Sequence, residues 1–243
     1  MLFINPPFGN YLNLPNTMQI KGSFTLHFRP GLISQIFKTL RYSNYYGGWI
    51  NKIGLRNRGI DYAINQYYPN TQNTVNSNKI VSIAILEPGD IEKMKKKIPD
   101  DMNIEINISC PNTEKIPINK GIECFLNPKR EWCIIKLSPI VEKQEIDRYY
   151  RLGFRQFHSC NTYPMKEGGL SGPILKPISL EIVRYIKTYY KDTVVIGGGG
   201  IRTLDDIKEY ENAGADHVSI STVCFSPIAF SKLFYDYLRY KNI

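Results

Sequence analysis

A chain of 243 residues fits one large domain or two small ones, and it can bury a substantial core. Lys and Arg outnumber Asp and Glu by 31 to 22, and the resulting charge of +9 favours an anionic partner without choosing among phosphate, carboxylate and nucleic acid. Five cysteines with no CxxC pair exclude a disulfide framework and a zinc site, so no metal is expected and a reducing compartment is. The opening "MLFINPPFGN" lacks the basic start and long apolar core of a signal peptide. No later run reaches the ~18 apolar residues of a membrane span, so a soluble cytoplasmic protein is expected.

Strand-like runs alternate with helix-like runs along the chain, the pattern of parallel strands joined by crossover helices. "LFI" from Leu2 and "MQI" from Met18 are separated only by the proline-interrupted "GNYLNLPNT", too short for a crossover helix. After the Asn-rich loop at 69–78 comes the strand "IVSIAI" from Ile80, then the helix "GDIEKMKKKI" from Gly89 with an acidic first turn. Its lysine run at 93–97 reads as a solvated helix face rather than a nucleic-acid arm. "NIEINIS" from Asn103 and "WCIIKL" from Trp132 are the next strands, and the helix "VEKQEIDRYYRLG" from Val141 ends on a glycine. The strand "FRQFHS" from Phe154 and the helix "PISLEIVRYIKTYY" from Pro177 follow. Last come the strand "TVVIG" from Thr193, the helix "TLDDIKEYENAGA" capped by Thr203 and closed at Gly214, the strand "DHVSIS" from Asp216 and a terminal helix from Ser226. Eight strands close a barrel, so the expected fold is α/β, a TIM (β/α)8 barrel with a reduced first βα unit, spanning residues 1–243 as one domain.

In such a barrel the chemistry sits on the loops that follow the strands. Here strand four delivers Asn107, Ser109, Cys110 and Asn112, strand five Lys136, strand six Asn161 and Thr162, and strand eight Ser221 and Thr222. Strand seven runs into Gly197–Gly200, whose side-chain-free amides before a helix suit a phosphate; four glycines exceed what a tight turn alone requires. Asn107, Asn112 and Asn161 offer donors and acceptors for a planar imide, although each singly is an ordinary cap or turn residue. Lys136 interrupts an apolar strand, and pointed inward it calls for an anionic ligand. Cys110 follows its strand and precedes a proline, unlike the other four cysteines, which read as small buried hydrophobes. As a thiolate it can be a nucleophile or a general base, and no His or Asp stands at a spacing that selects between them.

Taken together, "NKIGLRNRGID" from Asn51, "EINISCPN" from Glu105, "IIKLSP" from Ile134, "NT" at 161, "GGLSGPILKP" from Gly168, "VIGGGGI" from Val195 and "ADHVSIST" from Ala215 resemble the dihydroorotate dehydrogenase family, in the family's order from residue 50 onwards. That resemblance implies a single flavin-binding barrel that uses FMN to oxidise dihydroorotate to orotate in de novo pyrimidine biosynthesis. It places Cys110 as the general base, a cysteine there resembling the soluble class 1 enzymes. It implies that Asn51, Asn107, Asn112, Asn161 and Thr162 grip the substrate with the backbone of Ile53, Gly54 and Leu55. Lys21, Asn107 and Lys136 would meet the flavin, and Gly169, Gly199, Gly200, Ser221 and Thr222 its phosphate.

The sequence also departs from that family. It is shorter, with losses in the first βα unit, after "SCPN" and between Asn161 and Gly168. The small-residue loop that touches FMN in relatives reads "NPPFG" from Asn5, a polar flavin contact on strand three appears as Ile83, and one residue is inserted after Lys21. No amphipathic helices precede the barrel, so membrane quinone is not the expected acceptor. A homodimer or a separate electron-transfer subunit fits class 1. Two rival readings are a dihydrouridine synthase-like flavin enzyme acting on tRNA, for which +9 is natural, and a non-catalytic barrel that keeps FMN or phosphate as a structural ligand.

Overall fold

The computed structural model describes residues 1–68, 78–108 and 121–242. In chain order its elements are β1 (Leu2–Ile4), β2 (Thr17–Phe24), α1 (Leu32–Thr39), β3 (Arg41–Ser43), β4 (Gly48–Asn51), α2 (Ile60–Tyr67), β5 (Lys79–Ala84), α3 (Pro88–Lys97), β6 (Ile104–Asn107), β7 (Cys133–Lys136), α4 (Lys143–Arg151), β8 (Gln156–Ser159), β9 (Tyr163–Met165), β10 (Gly168–Ser171), α5 (Leu175–Tyr189), β11 (Val194–Gly198), α6 (Leu204–Asn212), β12 (His217–Ile220) and α7 (Pro227–Lys241). All eight strands expected from the sequence close one barrel in the order β1-β12-β11-β8-β7-β6-β5-β2, every neighbour parallel. A single 3-10 turn at Phe8–Asn10 stands where the first crossover helix would be, which is the expected reduced βα unit.

The two-residue period of the strands sorts their side chains into two layers. Outward-facing Val81, Ile83, Ile104, Ile106, Ile135, Phe157, Val195 and Val218 pack under the helices. Inward-facing Phe3, Met18, Ile20, Ile80, Ile134 and Ile196 join Trp132 in an apolar plug. Along the same strands, two residues further towards the carboxyl ends, the inward positions turn polar: Asn5, Ser82, Lys136, His158 and Ser219, with Glu105 and Asn107 on β6, are all buried. The barrel is thus dry at its base and ionic below its mouth.

A second sheet, β3-β4-β10-β9, is antiparallel and was not legible as strands. It is assembled from excursions after β2 and β8, and β9 begins directly after Thr162. Helices α3 to α7 match the expected ones, whereas α1 and α2 are additional. The lysine run on α3 is solvated as expected, with Lys95, Lys96 and Lys97 paired to Asp100, Glu92 and Asp61.

Candidate active site

The mouth is built from the ends of adjacent strands. Asn161, just beyond β8, is held by its own N–H donating to the Leu137 carbonyl (2.9 Å), and its Nδ2 donates to Asn107 Oδ1 at 3.0 Å. Its Oδ1 accepts from the Thr162 amide (2.9 Å), so Asn107, Asn161 and Thr162 are brought together as expected. Lys136 lies in register with Asn107 on the neighbouring strand, with its ammonium 3.4 Å from Glu105 Oε1. Cys110 and Asn112 lie outside the described residues.

Beneath the mouth is a polar cluster that sequence reading missed. Glu105 is fully buried and accepts from Ser82 Oγ (2.9 Å) and, on its other oxygen, from His158 Nδ1 (2.5 Å). Burial pulls its carboxyl pKa upward, but Lys136, His158 and Ser82 outweigh that and hold it at about 2, so Glu105 is ionised. Burial lowers the His158 pKa despite the opposing pull of Glu105, which fits a neutral ring that donates from Nδ1. Its Nε2 then accepts from Ser219 Oγ at 2.7 Å. The signal that could have found Glu105 was present: it lies two residues before Asn107, on the same face of the same strand.

The glycine run divides into two roles. A Cβ on Gly197 would stand 2.4 Å from the Tyr210 ring, and one on Gly198 would stand 2.0 Å from Ser219 Oγ, so these two strand residues are glycine for packing. Gly199 and Gly200 have φ of +107° and +75° and make the turn towards α6, which leaves them as the backbone for an anion. The two amides just before α6 are not available in the same way, because Asp206 already accepts from the N–H groups of Arg202 and Thr203 (both 2.8 Å). Thr222 lines a cavity of about 210 Å³, together with Trp49, Gly172, Arg202 and Phe225, where the small sheet meets the ends of β11 and β12. Ser221 Oγ donates to the Pro6 carbonyl (3.0 Å), tying the "NPPFG" loop to this corner.

The remaining expected residues lie on the small sheet and its loops. Asn51 pairs with Gly169 across β4 and β10. Gly54 and Leu55 both take left-handed backbone angles (φ 71° and 55°), and the turn is held by Asn57, whose Nδ2 donates to the Leu55 carbonyl at 2.6 Å. Arg29 Nη2 donates to the Gly54 carbonyl at 3.2 Å, fixing the Ile53–Leu55 segment from the other side. Lys21 stands apart from the mouth. It is in register with Val81 of the outer layer, donates to the Gly9 carbonyl (2.5 Å) and lies 5.6 Å from the centre of the Tyr67 ring on α2. Burial lowers its pKa to about 8. The β2–β5 register shifts only beyond Lys21, between Gly22 and Phe24, and it is the bulged Ser23 that reaches Ser82.

A flavin fits this donor set. Lys136 supplies a buried cation, and Asn5, at the end of β1, has a buried Oδ1 with no hydrogen-bond partner that a ligand N–H could satisfy. Of the other four cysteines three suit the structural reading: Cys133, Cys160 and Cys224 are buried, and burial pushes their thiol pKa values up to about 12, whereas Cys124 is only half-buried. Among the described residues no group of His, Cys, Asp and Glu is placed to hold a metal, and no helix is long and apolar enough to cross a membrane.

Comparison with known proteins agrees with this architecture. The family model for dihydroorotate dehydrogenase matches residues 11–123 and 132–236. The catalytic subunit of dihydroorotate dehydrogenase B (NAD+) from Petrotoga mobilis is 33% identical over 220 residues, covering 77% of this chain and 71% of that protein. The corresponding subunit from Geotalea uraniireducens is 32% identical over 211 residues, 74% of this chain and 67% of the relative. The crystal structure of the Eimeria tenella enzyme DHODH in complex with ferulenol superposes with a TM-score of 0.67 at 19% identity, over 93% of this chain and 74% of that one, which establishes the likeness of fold. With a family match across both halves of the barrel and relatives above 30% identity, the chain belongs to the dihydroorotate dehydrogenase family.

Proposed function

We propose that this chain, acting as a single cytoplasmic barrel domain, oxidises dihydroorotate to orotate with FMN as its cofactor. The observation that carries the reading is the family match over 11–123 and 132–236, which encloses the Asn107–Asn161–Lys136 mouth. FMN, when bound, supplies the two-electron acceptor for the hydride from substrate C6. The Cys110 thiolate takes the C5 proton as that C–H bond breaks and the C5=C6 double bond forms. Asn51, Asn107, Asn112, Asn161 and Thr162, with the amides of Ile53 to Leu55, hold the ring and carboxylate in register, where small displacements cost rate steeply. Lys136 places positive charge against the anionic edge of the cofactor. Gly169, Gly199, Gly200, Ser221 and Thr222 receive its phosphate. The relatives are catalytic subunits of an NAD+-linked enzyme, and by analogy electrons leave this chain through a separate partner subunit.

The test is to load the purified protein with FMN and add dihydroorotate without oxygen. Bleaching of the flavin spectrum is expected, and Cys110→Ala should slow it by about 10²–10⁴-fold, the span of general-base catalysis. A protein that cannot be loaded with FMN supports the non-catalytic remnant instead. Salt-sensitive tRNA binding with no response to dihydroorotate supports the tRNA-modifying alternative.

A further inference from the structure

The buried groups below the mouth form one continuous chain of hydrogen bonds, and its direction is fixed by a single charge. Glu105 is ionised, so both of its oxygens can only accept. Ser82, 2.9 Å away, must therefore spend its proton on Glu105. The Ser23 hydroxyl, 2.8 Å from Ser82 Oγ, then has to donate to Ser82, which leaves its oxygen to accept from Asn107 Nδ2 at 3.0 Å. With its amide nitrogen turned towards Ser23, Asn107 presents Oδ1 to Asn161 Nδ2 at 3.0 Å. Every donor along this arm points inward to Glu105. A second arm ends there too, from Asn5 through Ser219 (3.1 Å) and His158.

We infer that Glu105 is a positioning residue that, through Ser82 and Ser23, holds the carboxamide of Asn107 in the orientation that matches Asn161, whose own oxygen the Thr162 amide anchors, and with it the donor and acceptor pattern offered to a planar imide ligand. A carboxamide is nearly symmetrical in shape, so packing alone does not choose its orientation; hydrogen bonding does. The binding consequence rests on the dihydroorotate reading, whereas the orientation itself does not. Ser23 reaches its place only through the register shift in β2, which ties the device to the inserted residue of this chain.

Two small substitutions on opposite arms separate this role from general support of the core. Ser82→Ala cuts the arm to the mouth, and Ser219→Ala cuts the arm to Asn5. In the FMN-loaded protein, orotate titrated against the flavin absorbance should bind about tenfold more weakly to Ser82→Ala and within twofold of normal to Ser219→Ala. Equal weakening in both, or none in Ser82→Ala, overturns the inference. In the ligand-free protein, the side-chain amide protons of Asn107 should exchange faster in Ser82→Ala and unchanged in Ser219→Ala by NMR. If wild type shows no orotate binding while the exchange difference is present, it is the substrate reading that fails and the orientation device that stands. Unchanged exchange in Ser82→Ala refutes the device whatever the ligand.

Discussion

Replacing Glu105 by Gln tests the charge below the barrel mouth through folding stability. At neutral pH the variant leaves the Lys136 ammonium, 8% exposed, beside an uncharged amide, and removing one partner of a buried ion pair costs about 3–5 kcal/mol. The pH dependence separates this from simple loss of packing. The Glu105 carboxyl is depressed from 4.5 in the unfolded chain to about 2 in the fold, so the unfolded state binds the extra proton. Its contribution is fully present above pH 4.5 and is lost as pH falls through the folded value, about 3 kcal/mol in all. About 1 kcal/mol of that is gone by pH 3.5, a figure set almost entirely by the unfolded pKa. Urea unfolding of wild type and Glu105→Gln, followed by tryptophan fluorescence between pH 7 and 3.5, reads the difference directly. The stability gap between the two proteins should be constant from pH 7 to 5.5 and narrow by about 1 kcal/mol at pH 3.5. A gap that stays constant through that range means the fold does not depress the Glu105 carboxyl, and a gap that moves in favour of wild type as pH falls from 7 to 5 means that the carboxyl is protonated in the fold and the directed hydrogen-bond chain loses its source.

Two further substitutions read neighbouring parts of the barrel. Gly198→Ala puts a methyl group 2.0 Å from Ser219 Oγ and should destabilise by about 1–3 kcal/mol, and combining it with Ser219→Ala should recover most of that loss in a double-mutant cycle. Additive effects would mean the two residues are not in contact. Lys21→Met replaces a buried ammonium, 4% exposed, with an apolar chain of similar size, so urea unfolding should show a more stable protein at pH 7. That advantage should shrink as pH rises above about 8, because the folded lysine then sheds a proton that the unfolded chain keeps to its ordinary value near 10.5. A variant that is less stable at pH 7 would refute the outward, desolvated placement.

The barrel strands were readable because most carry their own short apolar run, and because closure needs only that eight such runs alternate with crossovers. The strands of the second sheet are three or four residues long and owe their pairing to distant partners, as Asn51 does to Gly169, so local pattern could not announce them. The mouth residues were legible where chemistry and position coincided: a single Asn at a strand end is an ordinary cap or turn residue, but several converging on one mouth with a lysine are not. Lys21 shows the limit of that reasoning. Its residue type fits a flavin contact, but facing is a matter of register: Lys21 pairs with Val81 of the helix layer, and the shift just beyond it turns Ser23 to the interior.

Glu105 and His158 escaped notice for the opposite reason: each sits inside a strand, where a charged or titratable residue is easily passed over as incidental. The eight-stranded closure explains their tolerance there. Inward positions at one height from different strands meet at the axis, so Glu105 from β6, Lys136 from β7, His158 from β8, Ser219 from β12 and Ser82 from β5 satisfy one another within a single layer. The same side chains on an open sheet would face a solvent or a helix and would each need a separate partner. A polar layer in a closed barrel is therefore legible only as a set. Once Asn107 is assigned to the mouth, the two-residue period compels Glu105 to lie one step below it, and its buried carboxylate requires the donors that the neighbouring strands supply.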